Sequence, residues 1–178
     1  VVLLHTVYQQ YMGSDWTAGT AGSGVADFAA GASTWEVIAA PQLAESWQMP
    51  AQGVWILNIR RGVRWQKPNT DAGRLMNGRE MTADDIISSW KRLATTPTSW
   101  MHLSQPAALA ATTIEKTGPW QVTFKTPLDY LTSFFWIING GGYNRVYPPE
   151  VVAKYGDLFA AFQRQAETLH GGGHAWQS

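Results

Sequence analysis

The sequence predicts a mixed α/β fold in which short strands and hairpins pack with several helices. The first observation is "PAQG", residues 50–53, a turn signal between two apolar stretches that predicts a hairpin. Its second strand, residues 54–59, is apolar enough for burial on both faces. The second observation is "TGP", residues 117–119, followed by alternating apolar and polar residues, which predicts another hairpin with one buried face.

The third observation is a set of helical patterns between and after the hairpins. The clearest pattern begins at Thr82, a suitable N-cap, and Asp85 lies three residues later, where it can return the capping bond. Apolar residues then follow on one stripe of the helix. The four predicted helices are Thr82–Ala94, Leu128–Ile138, Pro148–Tyr155 and Leu158–Leu169.

The composition limits the classes of function. The 178 residues suffice for one domain, or for one domain with an appendage. Thirteen basic and thirteen acidic residues give zero net charge, which argues against nucleic-acid binding, because that binding depends on neutralising phosphates. No apolar run reaches the roughly 20 residues of a membrane helix. The absence of cysteine excludes disulfides and thiolate chemistry.

The sequence predicts no catalytic residue, no metal site and no cofactor. Asp84 and Asp85 are explained by helix capping, so with Glu80 they do not indicate acid–base chemistry. His170 and His174 have the spacing of helical metal ligands, but three glycines between them oppose a helix. No nucleophile motif is present. These features indicate a protein that is not an enzyme.

Ten tryptophans in one chain of this size leave two interpretations open. They can build the core, since each buries a large area, or they can form an aromatic wall that stacks on a ligand. The first interpretation predicts that Trp47, Trp55, Trp65 and Trp90 are mostly buried. The second is an alternative function, a freestanding Trp-rich module that binds carbohydrate or a surface, and it predicts several tryptophans exposed on one face.

Four motifs in order resemble the family 5 extracellular solute-binding proteins, the peptide- and nickel-type binding components of ABC importers. They are "QLAESWQM", "NIRRGVRWQ", "NGREMTADDIISSWKRL" and "YPPEVVAKYGD". The resemblance covers roughly Val37 to Asp157. It implies the N-terminal portion of a two-lobe periplasmic-binding-protein type II fold, with the second lobe absent from this chain.

The resemblance also implies a division of the chain. Residues 1–36 would form the N-terminal strand and a Gly/Ala-rich loop of lobe I, residues 37–170 its peripheral subdomain, and residues 171–178 a flexible or truncated tail. The long "KPNTDAGRLMNGRE" segment, residues 67–80, departs from the short link of many members. It leaves the substrate subclass open.

The function implied is capture of a peptide or similar small solute outside the cytoplasmic membrane and its delivery to ABC permease subunits. The resemblance implies a monomer in the periplasm or outside the cell, with lipid anchoring at the cytoplasmic membrane as one arrangement. The family often directs an aromatic residue at its cleft after the third motif, which here corresponds to Trp100. The residues expected to contact ligand are Trp100, Met101, His102, Asp15, Trp16, Tyr143 and Asn144.

Overall fold

The computed structural model describes most of the middle of the chain, in two compact units. One unit lies within residues 1–64 and 80–147, and the other lies within residues 65–79 and 148–178. The helix predicted over Leu158–Leu169 falls outside the described residues. The described ranges are 11–15, 17, 39–66, 70–97, 99–139 and 145–156.

The described residues of the first unit form two antiparallel sheets. Strands β1 and β2 form a two-stranded sheet, and a four-stranded sheet has the order β3-β4-β6-β5. Both predicted hairpins are confirmed, because β3 pairs with β4 and β5 pairs with β6. The strands are β1 Met12–Ser14, β2 Ala39–Pro41, β3 Ala44–Ala51, β4 Val54–Ile59, β5 Thr113–Gly118 and β6 Gln121–Lys125.

Strand β4 is buried on one face only, so the expectation of burial on both faces is wrong. Trp55, Leu57 and Ile59 are buried, and the alternate residues are only half-buried. A strand presents successive side chains to opposite faces, and in this sheet the core covers only one of them. The other face carries Val54, Ile56 and Asn58, which are only half-buried although two of them are apolar.

Six α-helices and one 3-10 helix lie in the described residues. The predictions over Thr82–Ala94 and Pro148–Tyr155 are confirmed within a residue or two, and the prediction over Leu128–Ile138 divides into a 3-10 turn, Leu128–Tyr130, and a helix. Helices α1, α3 and α4 are too short to show a helical period in sequence. The α-helices are α1 Asp71–Met76, α2 Ala83–Thr95, α3 Trp100–Ser104, α4 Pro106–Ala111, α5 Leu131–Asn139 and α6 Pro149–Tyr155.

Helix α2 begins with the capping box that its sequence predicts. The Thr82 side chain accepts a hydrogen bond from the backbone N–H of Asp84, at 3.3 Å, and the Asp85 carboxylate accepts one from the N–H of Thr82, at 2.8 Å. These two bonds satisfy donors that a helix otherwise leaves unpaired. Ile86 and Trp90 are buried along the inward stripe of this helix.

The core of the first unit is an aromatic cluster between the sheet and its helices. Trp90 of α2 meets Phe124 of β6 edge-on, with ring centroids 4.9 Å apart, and Trp55 of β4 meets Phe135 of α5 edge-on at 4.8 Å. Phe134 lies 5.4 Å from Phe124 and joins the two pairs. Edge-to-face rings add to the stabilisation that their buried area supplies.

In the second unit, the long segment before α2 folds as a small helix. Thr70 caps α1 by accepting a hydrogen bond from the N–H of Gly73, at 3.1 Å, and Asn77 ends it in a left-handed conformation, with φ of 49°. Helix α1 packs against α6. Arg79 also binds Glu150 of α6 with two parallel hydrogen bonds, one of them 2.6 Å long.

Candidate functional site

Helix α3 carries the largest exposed apolar side chains that lie close together in sequence. Trp100 is 55% exposed and Leu103 is 64% exposed. Residues three apart are neighbours on a helix surface, so these two side chains form one apolar patch. Met101 of the same helix is completely buried, and its side chain therefore offers no surface to a ligand in this structure.

His102 fixes α3 to the end of α2. Its Nδ1 atom lies 2.6 Å from the carbonyl oxygen of Ala94, and its side chain is half-buried. The carbonyl of Ala94 belongs to the last turn of α2, where carbonyls lack partners within the helix. A carbonyl only accepts, so Nδ1 carries the hydrogen in this contact, and Nε2 of the neutral ring is left as a hydrogen-bond acceptor.

Backbone hydrogen bonds hold the connection between α2 and α3 in place. The N–H of Ser99 donates to the carbonyl of Thr96 at 2.9 Å, and the N–H of Leu103 donates to the carbonyl of Ser99 at 3.0 Å. The N–H of Gln105 donates to Met101 at 2.8 Å, just before Pro106 starts α4. These bonds fix the backbone that carries the patch of Trp100 and Leu103.

Asp15 lies in a separate segment, directly after β1. Its Oδ1 atom accepts hydrogen bonds from the Thr17 hydroxyl, at 2.6 Å, and from the Thr17 backbone N–H, at 2.8 Å. The bond from the hydroxyl, and then that from the N–H, hold the pKa of Asp15 below its usual value. The carboxylate is thus ionised at neutral pH and fixed in orientation.

The structure places Trp100 and His102 two residues apart on the same short helix, and it places Asp15 on another segment. The predicted contacts Trp16, Tyr143 and Asn144 lie outside the described residues. Leu103 was missed by sequence reasoning. Its spacing of three from Trp100 would have indicated it if the five-residue helix had been predicted.

Neither a metal centre nor a membrane helix is found in the ranges that the structure covers. Among these residues, no three histidine, cysteine, aspartate or glutamate side chains come close enough to hold a metal ion. None of the described helices has the length and apolar character that crossing a membrane requires.

The family model described as "Bacterial extracellular solute-binding proteins, family 5 Middle" matches residues 39–157. The match includes the whole four-stranded sheet, the aromatic core and helix α3. The chain belongs to this family. Family 5 proteins are the solute-binding proteins of ABC importers and are not enzymes. The comparison with curated protein sequences gave no match.

Solved structures of periplasmic binding proteins share the fold. The oligopeptide-binding protein AppA of Bacillus subtilis, in complex with a nonapeptide, has 16% identity and a TM-score of 0.53, over 90% of this chain and 25% of its own. OppA of Burkholderia pseudomallei has 21% identity and a TM-score of 0.57, over 86% and 27%. DppA of Helicobacter pylori, in complex with the peptide STSA, has 15% identity and a TM-score of 0.56, over 92% and 28%.

These similarities confirm the fold class that the sequence predicted. These structures are two-lobe binding proteins, and this chain spans about a quarter of the length of each. At such identities the likeness concerns the fold alone. The family is described as extracellular, in agreement with the compartment that the motifs imply.

Proposed function

We propose that this chain captures a peptide outside the cytoplasmic membrane as part of an ABC importer, and that Trp100 lies at the point of capture. The observation that carries the proposal is an exposed tryptophan on a short, well-supported helix inside the family 5 region. The protein would act as a monomer, in the periplasm or anchored by lipid, and would release the peptide to permease subunits.

The chemistry around Trp100 suits a peptide. The indole and Leu103 offer apolar contact to side chains, and aromatic residues commonly dominate binding energy at such surfaces. The Nε2 atom of His102, two residues along the same helix, can accept a hydrogen bond from a peptide N–H. Asp15, in the separate segment after β1, is fixed as an anion by Thr17, and such a carboxylate would attract an amino group.

The relatives support a peptide without restricting the proposal to one sequence. The AppA and DppA structures are described with a nonapeptide and with STSA, whereas the MoaA structure from Agrobacterium tumefaciens is described with mannopinic acid. The fold therefore accommodates several solutes. The exposed apolar side chain of Leu103 beside Trp100 favours a solute with apolar side chains, such as a peptide.

The distribution of tryptophans argues against the freestanding carbohydrate-binding module. Trp55 and Trp90 are buried, and Trp47 and Trp65 are half-buried. Among the tryptophans that the structure describes, Trp100 alone is exposed. A stacking wall needs several exposed rings on one face, and the described residues do not provide it.

Native mass spectrometry of the purified protein tests the proposal first, because a bound peptide would be retained as added mass. Titration with peptides of two to nine residues, followed by tryptophan fluorescence, then measures affinity. We expect Trp100→Ala to weaken binding about tenfold or more, as the loss of an aromatic contact does.

The control is Leu128→Ala, which removes an apolar side chain that is 55% exposed and belongs to a different element, the 3-10 turn Leu128–Tyr130. It should leave the affinity unchanged. Equal affinities of the Trp100→Ala variant and the unmodified protein would contradict the assignment of Trp100. Retention of an oligosaccharide in place of a peptide would contradict the proposed solute.

A further inference from the structure

A depression of about 280 Å³ lies in the first unit, where β4 ends and β6 begins. None of its lining residues belongs to α3 or to the segment before that helix. It is therefore a different surface from the proposed peptide site. The side chains that matter to its chemistry are Glu45, Asn58, Arg61, Thr117, Trp120 and Gln121.

A row of hydrogen-bonded polar side chains crosses three strands at this depression. The Asn58 Nδ2 atom donates to the Ser46 hydroxyl at 2.9 Å, and the Gln121 Nε2 atom donates to Asn58 Oδ1 at 2.9 Å. Ser46 and Gln121 are the strand partners of Asn58 on either side. These bonds fix both amides, so the Oε1 atom of Gln121 remains as an oriented acceptor.

Arg61 is held over the ring of Trp120. Its guanidinium carbon lies 5.0 Å from the ring centroid, a cation–π arrangement that positions the group without using its N–H donors. The backbone of Trp120 is fixed, because its carbonyl accepts a hydrogen bond of 2.7 Å from the N–H of Ile59, and the residue is half-buried. The guanidinium of Arg61 therefore has a defined position, and its N–H donors remain available to a ligand.

Glu45 supplies the opposite charge to the same depression. Its side chain is exposed, and it forms no ion pair with Arg61 or with any other residue that the structure describes. Arg61 likewise has no carboxylate partner within the described ranges. A carboxylate and a guanidinium that face one depression without pairing are complementary to a ligand that carries both charges.

We propose that this depression binds a small zwitterionic solute, of the class of free α-amino acids. The ligand carboxylate would accept two parallel hydrogen bonds from Arg61, and the ligand ammonium would meet Glu45 and the Gln121 oxygen. The volume lies just below the roughly 300 Å³ at which drug-sized ligand pockets begin, so it suits a free amino acid better than a peptide.

The test is a titration of the full chain with L-alanine, followed by NMR of the side-chain groups of Asn58, Gln121 and Arg61, in a buffer that is not zwitterionic. We expect saturable shifts at all three. L-alaninamide lacks the carboxylate and N-acetyl-L-alanine lacks the ammonium, and each should bind about tenfold more weakly, because each loses one charge-assisted contact.

Two variants with matched controls complete the test. Arg61→Gln and Glu45→Gln should each weaken L-alanine binding about tenfold, whereas Lys91→Gln and Asp129→Asn, exposed charges elsewhere in the unit, should not. The amide spectrum of each variant shows whether the fold is retained. Shifts that rise without saturation, equal binding of all three compounds, or shifts caused by glucose but not by L-alanine would each overturn the proposal.

Discussion

The Nδ1 atom of His102 lies 2.6 Å from the carbonyl oxygen of Ala94 and so ties the helix that carries Trp100 to the end of α2. The bond satisfies a carbonyl that the helix leaves without an internal partner. It also selects the imidazole tautomer with the hydrogen on Nδ1, so that Nε2 of the neutral ring is a hydrogen-bond acceptor. A structural contact thereby determines what this residue can offer to a ligand.

In the neutral imidazole of His102 we expect the hydrogen on Nδ1, because the Ala94 carbonyl cannot donate. Long-range ¹H–¹⁵N NMR of the imidazole measures this directly, since protonated and unprotonated ring nitrogens differ in chemical shift. A ring protonated at Nε2 would contradict the assignment. His5, His170 and His174, which lie outside the described residues, need separate assignment by mutation.

The ion pair of Arg79 and Glu150 should make the second unit sensitive to acid. The hydrogen bond from Arg79 is the largest cause that holds the pKa of Glu150 below its usual value. Such a carboxylate stabilises the fold fully above its unfolded pKa of about 4.3, and the contribution is lost as pH falls through the lower pKa of the folded state. Hydrogen exchange of α6 as a function of pH checks this.

Glu150→Gln should reduce the protection of α6 at pH 7 by about 0.5–1 kcal/mol, a modest value because the two side chains are 30% and 37% exposed. The difference from the unmodified protein should vanish in acid. Asp71→Asn is the control, since the pair of Asp71 and Arg74 is far more exposed. An equal effect of both substitutions would show that the pair of Arg79 and Glu150 stabilises α6 no more than the exposed pair of Asp71 and Arg74 does.

Truncation should destabilise the protein far more at Trp90 than at Trp100. Trp90 is 2% exposed and packs edge-on against Phe124, so Trp90→Ala should cost about 3–5 kcal/mol of unfolding free energy. Trp100→Ala should change stability by less than about 0.5 kcal/mol, because the ring is largely in solvent. Urea denaturation measures both, and a large loss from Trp100→Ala would argue that this residue is structural.

Two glycines with the same backbone conformation should differ in their tolerance of a side chain. Gly53 and Gly62 have φ of 74° and 76°, where a residue with a Cβ pays about 1–2 kcal/mol. A Cβ at Gly53 would also overlap the carbonyl oxygen of Thr126, whereas nothing lies within 4 Å of one at Gly62.

We therefore expect Gly53→Ala to cost about 3 kcal/mol or more, and Gly62→Ala about 1–2 kcal/mol. Thermal or urea unfolding of the two variants gives the comparison. Equal losses would mean that the turn at Gly53 relaxes away from Thr126. That result would contradict a fixed close approach of Gly53, in the turn of the first hairpin, to Thr126 at the end of β6.

Much of the fold was predictable because its signals are local. The capping box of Thr82 and Asp85 involves neighbours in sequence, and the hairpin turns at 50–53 and 117–119 have characteristic residues. The short helices α1 and α3 were not predictable, since five or six residues do not complete two helical turns. The one-sided burial of β4 was missed because an apolar strand does not reveal which faces are covered.

For the candidate sites, too, some features were predictable from the sequence and others were not. The sequence by itself determined the family, through four ordered motifs, and it singled out Trp100 as the residue expected to meet a solute. Only the tertiary structure decided that Trp100 is exposed while Met101 is buried, and that Arg61 and Glu45 face one depression. The exposure of a side chain, and the position of two charged groups at one depression, depend on residues that are distant in sequence and that packing brings together. The linear sequence does not show those distances.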